Sequence, residues 1–342
     1  MTRKFLSPLL ILTTLLAAAC GSDTETRTDE MDPLAARAAR VEIIRDDFGV
    51  PHIYGETDAD AVFGLLYAQA EDDFPRIERN YIWATGRLAE VEGENALFSD
   101  LRARLYMTVP EAKAAYESAP DWLRELCDAW ADGLNYYLQT HPEVKPALLT
   151  RFEPWMPMFF SEGSIGGDIE QIPLAGIAEF YGNLDPVSAV AAVHKSEAMF
   201  SVSGGSNGFA ISGEHTRSGD AMLLINPHTS FYFRGEVHMV SSQGLNAYGA
   251  VTWGQFFVYQ GFNETTGWMH TSTYADFIDE VVEDVKRVEG ELVYRYGDEW
   301  RPVEVSEVTL RYKDGENLRE RTFPMYHTHH GPITHAIDGN WV

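Results

Sequence analysis

The sequence changes from helical to strand periodicity near its middle, and this change constrains the fold more than any other feature. From Asp58 onward, apolar residues recur every three or four positions, so they share one face of a helix. They are Phe63, Leu66, Ala70, Phe74, Ile77 and Tyr81. Pro75 lies within this pattern and should kink the helix or restart it. After Ser206, short apolar or alternating runs are separated by Gly, Asn and Pro, as is typical of strands. Helices followed by strands predict an α+β fold.

Three local signals refine this prediction. The run VEIIRDDFGVPHI at residues 41–53 predicts a strand followed by a loop at Gly49 and Pro51. Ser118 ahead of Asp121 predicts a capping box at the start of a second amphipathic helix. The apolar stripe of that helix is Trp122, Leu126, Trp130, Leu134 and Tyr137. Asp314-Gly315 between alternating runs predicts a β-hairpin.

Composition excludes several classes of protein. The chain has 342 residues, 45% of them hydrophobic and 23% charged, which is typical of a globular protein with a large core. Its 52 Asp and Glu against 26 Lys and Arg give a net charge of −26, which would repel a phosphate backbone, so nucleic acid is not expected as a partner. The two cysteines, Cys20 and Cys127, are too few for a disulfide framework or a thiolate zinc site.

The amino terminus has the layout of a secretion signal. Arg3 and Lys4 precede an apolar run that ends in small residues before Cys20. This layout resembles a bacterial lipoprotein signal, so residues 1–20 are predicted to be a signal peptide with Cys20 lipidated. Residues 21–40 would then be a flexible tether. We therefore expect a periplasmic or extracytoplasmic protein that is attached to the membrane only by its lipid. A transmembrane anchor and a soluble secreted protein remain alternatives.

Six segments carry a resemblance to a known family. They are RDDFGVPHIYGET (45–57), FGLLYAQAEDD (63–73), ATGRLAEVEG (84–93), SNGFAISGEHTRSGDAMLLINPH (206–228), YQGFNETTGWMHTSTYADFIDE (259–280) and HHGPI (329–333). In this order they resemble the penicillin acylase family of N-terminal nucleophile hydrolases, which includes cephalosporin acylases and N-acyl-homoserine-lactone acylases. Each motif alone is weak, but the ordered set is specific. The resemblance runs from about Val41 to the last residue.

The resemblance implies a four-layer αββα sandwich and a precursor that cuts itself between Gly205 and Ser206. The two products would form a heterodimer of a helix-rich small chain (41–183), which is followed by a linker or spacer peptide (184–205), and a strand-rich large chain (206–342). A serine hydroxyl needs an adjacent base before it becomes a good nucleophile. The new α-amine of Ser206 would supply that base, since its free pKa is about 7.7–8.0.

Further site residues follow from the same resemblance. His228, which follows Asn226-Pro227, matches a histidine that hydrogen-bonds the nucleophile in the lactone and cephalosporin acylases; a structural histidine is the alternative. Alignment through Trp268 assigns a backbone oxyanion donor to Ser272. The family's second donor is an asparagine beyond position 342, so residues 206–342 are expected to be the beginning of a longer large chain.

An apolar pocket is needed for the acyl group. We assign it to Phe209, Phe231 and Phe256, together with the helix that carries Tyr81 and Trp83.

A structural calcium ion is also implied, with no organic cofactor. Asp276, Ile278 and Asp279 match the positions of two carboxylate ligands and a backbone carbonyl. A further carboxylate would come from the small chain, where Asp168 or Glu170 is the candidate and the register favours Asp168. A solvated acidic patch is the alternative.

Four histidines near the end of the sequence form another cluster. His327, His329, His330 and His335 have the side chains to bind zinc. Because no cysteine is near and the segment matches the family's histidine-glycine-proline sequence, a structural role at a strand end is the prediction.

The sequence thus predicts an enzyme that hydrolyses the amide between an acyl chain and an amine-bearing core, a small-molecule substrate. His228 favours N-acyl-homoserine lactones or related acyl amines over phenylacetyl β-lactams. Two alternatives stay open: a lipopeptide deacylase, and a non-catalytic periplasmic lipoprotein binding module with the same fold.

Overall fold

The computed structural model describes residues 32–159, 169, 172–182, 205–228, 234–271 and 279–342. Residues Pro33–Val342 form one structural unit. The predicted signal peptide lies outside the described residues, as does nearly all of the predicted linker. Within the described ranges, no helix combines the length and the apolar character that a membrane span requires.

Helices occupy the first part of the described chain. They span Pro33–Ala38 (α1), Asp58–Ala84 (α2), Ala89–Glu92 (α3), Leu97–Tyr106 (α4), Val109–Ser118 (α5), Asp121–Thr140 (α6) and Leu174–Tyr181 (α7). Short 3₁₀ turns cover Glu94–Ala96, Met156–Phe159 and Gly213–His215.

Strands dominate the second part, but two strands lie earlier, between α1 and α2. The bounds are Val41–Arg45 (β1), Pro51–Gly55 (β2), Ser206–Ile211 (β3), Met222–Pro227 (β4), Arg234–Ser241 (β5), Asn246–Thr252 (β6), Gln260–Phe262 (β7), Gly267–Trp268 (β8), Val285–Val288 (β9), Glu291–Tyr296 (β10), Glu299–Pro302 (β11), Glu304–Asp314 (β12), Asn317–Thr328 (β13), Gly331–Pro332 (β14), Ala336–Ile337 (β15) and Asn340–Trp341 (β16). The predicted mixture of helix and sheet is confirmed. Pro51 begins a strand, so the predicted loop is the tight turn between β1 and β2.

Helix α2 matches its predicted period. Thr57 caps it by accepting a hydrogen bond from the Asp60 N–H at 3.0 Å, which satisfies one of the open donors of the first turn. The backbone leaves helical geometry at Asp73, two residues before Pro75. Since a proline removes a helical hydrogen bond and crowds the preceding turn, the predicted kink is confirmed.

The predicted start of α6 is wrong in one detail. Ser118 is the last residue of α5, and its hydroxyl donates to the Ala115 carbonyl rather than capping α6. The capping box lies instead at the start of α5, where Thr108 and Glu111 bond each other's backbone N–H. Trp122 was predicted in the buried stripe of α6 but is 62% exposed.

The largest sheet joins the two parts of the chain. Its strand order is β1-β2-β5-β6-β7-β8, and all neighbours are antiparallel except β2 and β5. The register aligns Ile43, Ile53, Met239 and Ala247 across four strands on the face that packs into the core with α2. The helices and this sheet therefore share one hydrophobic core.

The opposite face of this sheet is open in the described residues. The adjoining row aligns Ile44, His52, His238, Tyr248 and Phe262. Ile44 is 49% exposed and Phe262 is 48% exposed. The exposed apolar side chains on this face, Ile44 and Phe262, are suited to packing against a second layer.

The remaining strands form smaller sheets. β9, β10 and β11 form one, and the long hairpin β12–β13 with β14 forms another. Strand β12 ends at Asp314 and β13 begins at Asn317, so the hairpin predicted at Asp314-Gly315 is confirmed. Strands β3 and β4 form a separate two-stranded ribbon that carries Ser206 and His228 at one end.

Candidate active site

The β3–β4 ribbon brings the predicted nucleophile and histidine together. Ser206, the first residue of β3, pairs with Pro227 at the end of β4, so His228 follows directly at the same end of the ribbon. Gly205 has a φ of 123°, a conformation that side chains disfavour, and it turns the chain into β3. The two residues are 22 positions apart in sequence but adjacent in space because of this register.

The carbonyl of Gly205 is the focus of the polar contacts. The Ser206 hydroxyl donates to this oxygen at 2.7 Å, and the His228 backbone N–H donates to it at 3.2 Å. On the other side of Ser206, its own carbonyl accepts a hydrogen bond from the Thr271 hydroxyl at 3.3 Å. Two hydroxyl groups, those of Ser206 and Thr271, therefore lie next to the Gly205–Ser206 segment.

The His228 ring lies beside this peptide. Its Nδ1 is 3.5 Å from the point that a Cβ on Gly205 would occupy. Its Nε2 is 3.1 Å from the Asn207 amide nitrogen and 3.0 Å from the Asn226 amide oxygen. A neutral imidazole nitrogen either accepts or donates, so Nε2 can bond only one of these groups at a time. The two asparagines therefore offer the ring a partner in either neutral tautomer.

The segment after β8 packs closely on the ribbon. A Cβ at Gly208 would lie 2.0 Å from the sulfur of Met269, so only glycine fits there without a shift. Gln260 in β7 is 2% exposed and donates from Nε2 to the His270 carbonyl at 2.7 Å. Together these contacts fix the chain that leads to Thr271 and the predicted oxyanion donor. Ser272 itself lies outside the described residues.

An apolar cavity of about 570 Å³ lies near this segment. Phe256, predicted to bind the acyl group, lines it with Trp268 and Met239. Phe209, from the same prediction, is 62% exposed on the ribbon. Phe231 lies outside the described residues.

Tyr81 and Trp83 are buried in the core beneath this region. Tyr81 is 1% exposed, and its hydroxyl donates to the Gly254 carbonyl at 2.9 Å. Trp130 donates to the same oxygen at 2.7 Å. Burial raises the pKa of Tyr81 well above its ordinary value, so the phenol stays neutral. In this structure Tyr81 holds the loop that leads to Phe256, and contact with substrate stays a prediction.

Only one of the predicted calcium ligands, Asp279, lies within the described residues. Those outside the described residues are Asp168, Glu170, Asp276 and Ile278. Asp279 is described and lines a second cavity with Glu280 and Glu283. The lipidation site Cys20 also lies outside the described residues.

Four polar residues near the site were missed by sequence reasoning. They are Asn207, Asn226, Gln260 and Thr271. The two asparagines directly follow Ser206 or closely precede His228, which was a usable signal. Gln260 and Thr271 reach the site only through tertiary contacts, which no local pattern reveals.

Comparison with known proteins identifies the family. Residues 40–342, most of the chain, match the penicillin amidase family. The chain therefore belongs to the penicillin amidase family, as its motifs predicted.

Relatives carry acylase names. The chain is 26% identical to an acyl-homoserine lactone acylase, QuiP, of Pseudomonas fluorescens Pf-5, over 96% of this chain and 46% of the relative. It is 27% identical to an acyl-homoserine lactone acylase, PvdQ, of Pseudomonas syringae pv. syringae B728a, over 69% of this chain and 34% of the relative. A thermostable penicillin G acylase from Alcaligenes faecalis aligns in structure at 22% identity and a TM-score of 0.32, over 35% of this chain and 68% of that one. The chain spans less than half the length of the two relatives matched by sequence.

Proposed function

We propose that this protein is a self-processing N-terminal serine amidohydrolase that releases the acyl chain from N-acyl-homoserine lactones or related acyl amines. The observation that carries the proposal is the Gly205–Ser206 peptide. Its carbonyl oxygen accepts from both the Ser206 hydroxyl and the His228 backbone N–H, next to a histidine ring. Family membership supplies the reaction class.

The processing step follows from these groups. The Ser206 hydroxyl oxygen adds to the Gly205 carbonyl carbon, and the hydroxyl proton passes to the amide nitrogen. The C–N bond breaks and leaves an ester between the two residues. Water hydrolyses the ester, which gives a carboxylate on Gly205 and a free α-amine on Ser206. The His228 N–H already points at the oxygen on which negative charge develops, and such donors are worth about 3–4 kcal/mol in comparable sites.

The freed α-amine then acts as the base in amide hydrolysis. It accepts the proton of the Ser206 hydroxyl as the oxygen attacks the substrate carbonyl, and the proton is returned to the departing amine. Water cleaves the acyl-enzyme and regenerates the serine. In this scheme the His228 ring orients the hydroxyl or relays its proton, and the Ser272 N–H stabilises the oxyanion.

The substrate class rests on the cavity and on the names of the relatives. The cavity beside Phe256 and Trp268 is apolar and has the size of a ligand pocket, about 300–1,000 Å³. Two relatives are named acyl-homoserine lactone acylases. An acyl chain is the apolar part of such a substrate, so we assign it to this cavity.

Four further assignments belong to the proposal. Exposed Ile44 and Phe262 on the open face of the large sheet support a four-layer sandwich in which this face packs on a second sheet. The processed chains 41–183 and 206–342 would stay together, because α2 and the large sheet share one core. A calcium ion bound by Asp279 with Asp276 and a small-chain carboxylate, and a lipid on Cys20, remain proposals from sequence.

The intact mass of the purified protein tests processing. Wild type should give two chains, one of which begins at Ser206, whereas Ser206→Ala should stay uncut. Ser212→Ala, at an exposed serine six residues further on, is the matched control and should be cut normally. Cleavage before position 206 in the Ser206→Ala variant would refute self-processing.

Activity is tested separately by the release of a primary amine from acyl-homoserine lactones of increasing chain length. Wild type and Ser212→Ala should release homoserine lactone, and Ser206→Ala should not. A processed wild-type enzyme that hydrolyses phenylacetyl β-lactams but no acyl-homoserine lactone would overturn the substrate assignment and leave the mechanism standing.

A further inference from the structure

Two adjacent histidines and a buried glutamate lie close together in the structure. All three are more than 70 positions after Ser206 in sequence. His329 and His330 form the turn between β13 and β14, and Glu283 precedes β9. One potential ligand atom from each of the three lies within 4.8 Å of the other two. The His330 Nδ1 is 2.8 Å from a carboxylate oxygen of Glu283. The cluster therefore brings together two imidazoles and one carboxylate, the ligand types that zinc favours.

The backbone and a neighbouring tyrosine hold the cluster in place. Glu283 is 3% exposed, and its backbone N–H donates to the Trp341 carbonyl at 2.7 Å. The Tyr294 hydroxyl is 2.9 Å from His329 Nδ1, and the two rings are stacked with centroids 5.6 Å apart. This contact leaves Nε2 of His329 for another partner. In metal sites the second ring nitrogen of a ligating histidine is commonly bonded in this way, which fixes its orientation.

The surroundings of the cluster attract a cation. Glu283 and His330 line a cavity of about 340 Å³ together with Asp279 and Glu280. Among the described residues that line this cavity there are three carboxylates and no lysine or arginine. Glu280 lies 3.9 Å from the ring of His335, close enough to the cavity to add to its negative field.

We propose that Glu283, His329 and His330 form a zinc site with a fourth position open to water. In a tetrahedral site with bonds of about 2.0–2.1 Å, ligand atoms lie about 3.4 Å apart. The three ligand atoms already lie within 4.8 Å of one another, and both imidazoles are exposed at the surface, which leaves their rings room to adjust to a shared ion. The hydrogen bond between His330 and Glu283 is then replaced by one bond from each group to the metal. The ion would tie the β13–β14 turn to the segment before β9.

The sequence favoured a structural role over zinc binding, because no cysteine is near the histidines and the segment matches the family's histidine-glycine-proline sequence. The third ligand, Glu283, lies 46 positions before His329 and reaches it through the fold. The proposed site uses His329 and His330, whereas His327 bonds the Leu105 carbonyl at 2.8 Å and has a structural role.

The test is zinc titration of tag-free, chelator-treated protein in excess calcium, with metal analysis of the dialysed complex. Excess calcium occupies any site of the kind predicted at Asp279, so the bound zinc reports the new site. Wild type should bind about one zinc ion per chain. His329→Ala and His330→Ala should abolish this binding. The exposed His215 supplies the matched control, and His215→Ala should bind zinc as wild type does.

Two conservative variants separate ligation from folding. Glu283→Gln keeps the shape of the buried side chain but loses its charge, and it should weaken zinc binding by more than about 100-fold while the circular dichroism spectrum is unchanged. Tyr294→Phe removes only the group that orients His329 and should weaken binding by about 10–100-fold. Absence of a stoichiometric zinc ion from wild type, or retention of it in both histidine variants, would overturn the proposal. Displacement of the zinc by calcium would do the same, since calcium prefers oxygen ligands.

Discussion

Replacing Glu78 with glutamine should destabilise the fold although the two side chains have the same shape. Glu78 lies on α2 and is 4% exposed. Its two carboxylate oxygens accept three backbone hydrogen bonds, from Ala147 at 2.9 Å, Leu148 at 2.7 Å and Leu149 at 2.8 Å. The loop fixed in this way leads to Phe152, which is fully buried against Trp130.

The expected magnitude follows from the geometry. A glutamine has one acceptor oxygen, and it keeps two of the three bonds if that oxygen replaces Oε1, the atom that faces Leu148 and Leu149. The amide nitrogen then faces the N–H of Ala147, a residue at the protein surface. Loss of the charge and of one bond should cost about 1–2 kcal/mol of unfolding free energy. Glu78→Ala also leaves the buried Leu149 N–H unpaired, so its cost should be about 3–4 kcal/mol.

Urea denaturation followed by tryptophan fluorescence measures both changes, with Glu117→Gln as the control. Glu117 is exposed on α5, so its replacement should change the unfolding free energy by no more than about 0.5 kcal/mol. The loss of unfolding free energy should be largest for Glu78→Ala, smaller for Glu78→Gln and smallest for the control. If Glu78→Gln is as stable as the control, the carboxylate does not hold the loop and the reasoning fails.

Three other perturbations test the fold and the site. Gly133→Ala on α6 would place a Cβ 2.5 Å from the Phe63 carbonyl of α2. Although alanine is the better helix former, this clash should lower the free energy of unfolding, measured by urea denaturation, by about 1–3 kcal/mol. A gain in stability would contradict the close helix contact. Burial raises the pKa of Asp100 to about 8. Between about pH 4 and pH 8 the folded protein therefore keeps a proton that the unfolded chain has lost. The free energy of unfolding should fall over this range by up to about 1.4 kcal/mol per pH unit. Unfolding measured from pH 5 to 8 should show this component in wild type and not in Asp100→Asn, and equal slopes would refute the assignment. Gln260→Leu removes the hydrogen bond to the His270 carbonyl, near the proposed oxyanion donor. It should lower kcat about 10-fold or more with little change in KM. An unchanged kcat would show that Gln260 does not position that segment.

Local patterns predicted the main elements, since they depend on neighbours in sequence. The period of α2 and its interruption near Pro75 are visible in the sequence because both arise within one or two turns. The capping error at Ser118 has the same local origin. The sequence offers two similar signals, and Thr108 with Glu111 is the pair that forms the box. A serine before an acidic residue does not by itself decide where a helix begins.

The active-site residues were only partly predictable, because the pairing of strands that are distant in sequence brings several of them together. Ser206 and His228 were found through resemblance to a family, and the ribbon then explains their proximity. The partners of His228 and the contact from Gln260 to the His270 carbonyl require the register of distant strands. The same limit applies to Glu283, which no spacing rule connects to His329.

The register of the β3–β4 ribbon is the feature on which the proposed chemistry most depends. A two-stranded ribbon is only marginally stable alone, and a slip of one residue would send the His228 ring to the other face. The close fit of Met269 against Gly208 resists such a slip, because any other residue of β3 would bring a Cβ against the sulfur. The bond from Thr271 to the Ser206 carbonyl acts on the same strand. The segment of Met269 and Thr271 therefore both leads to the proposed oxyanion donor and sets the position of Ser206. A substitution that moves this segment should displace the nucleophile as well as the oxyanion donor.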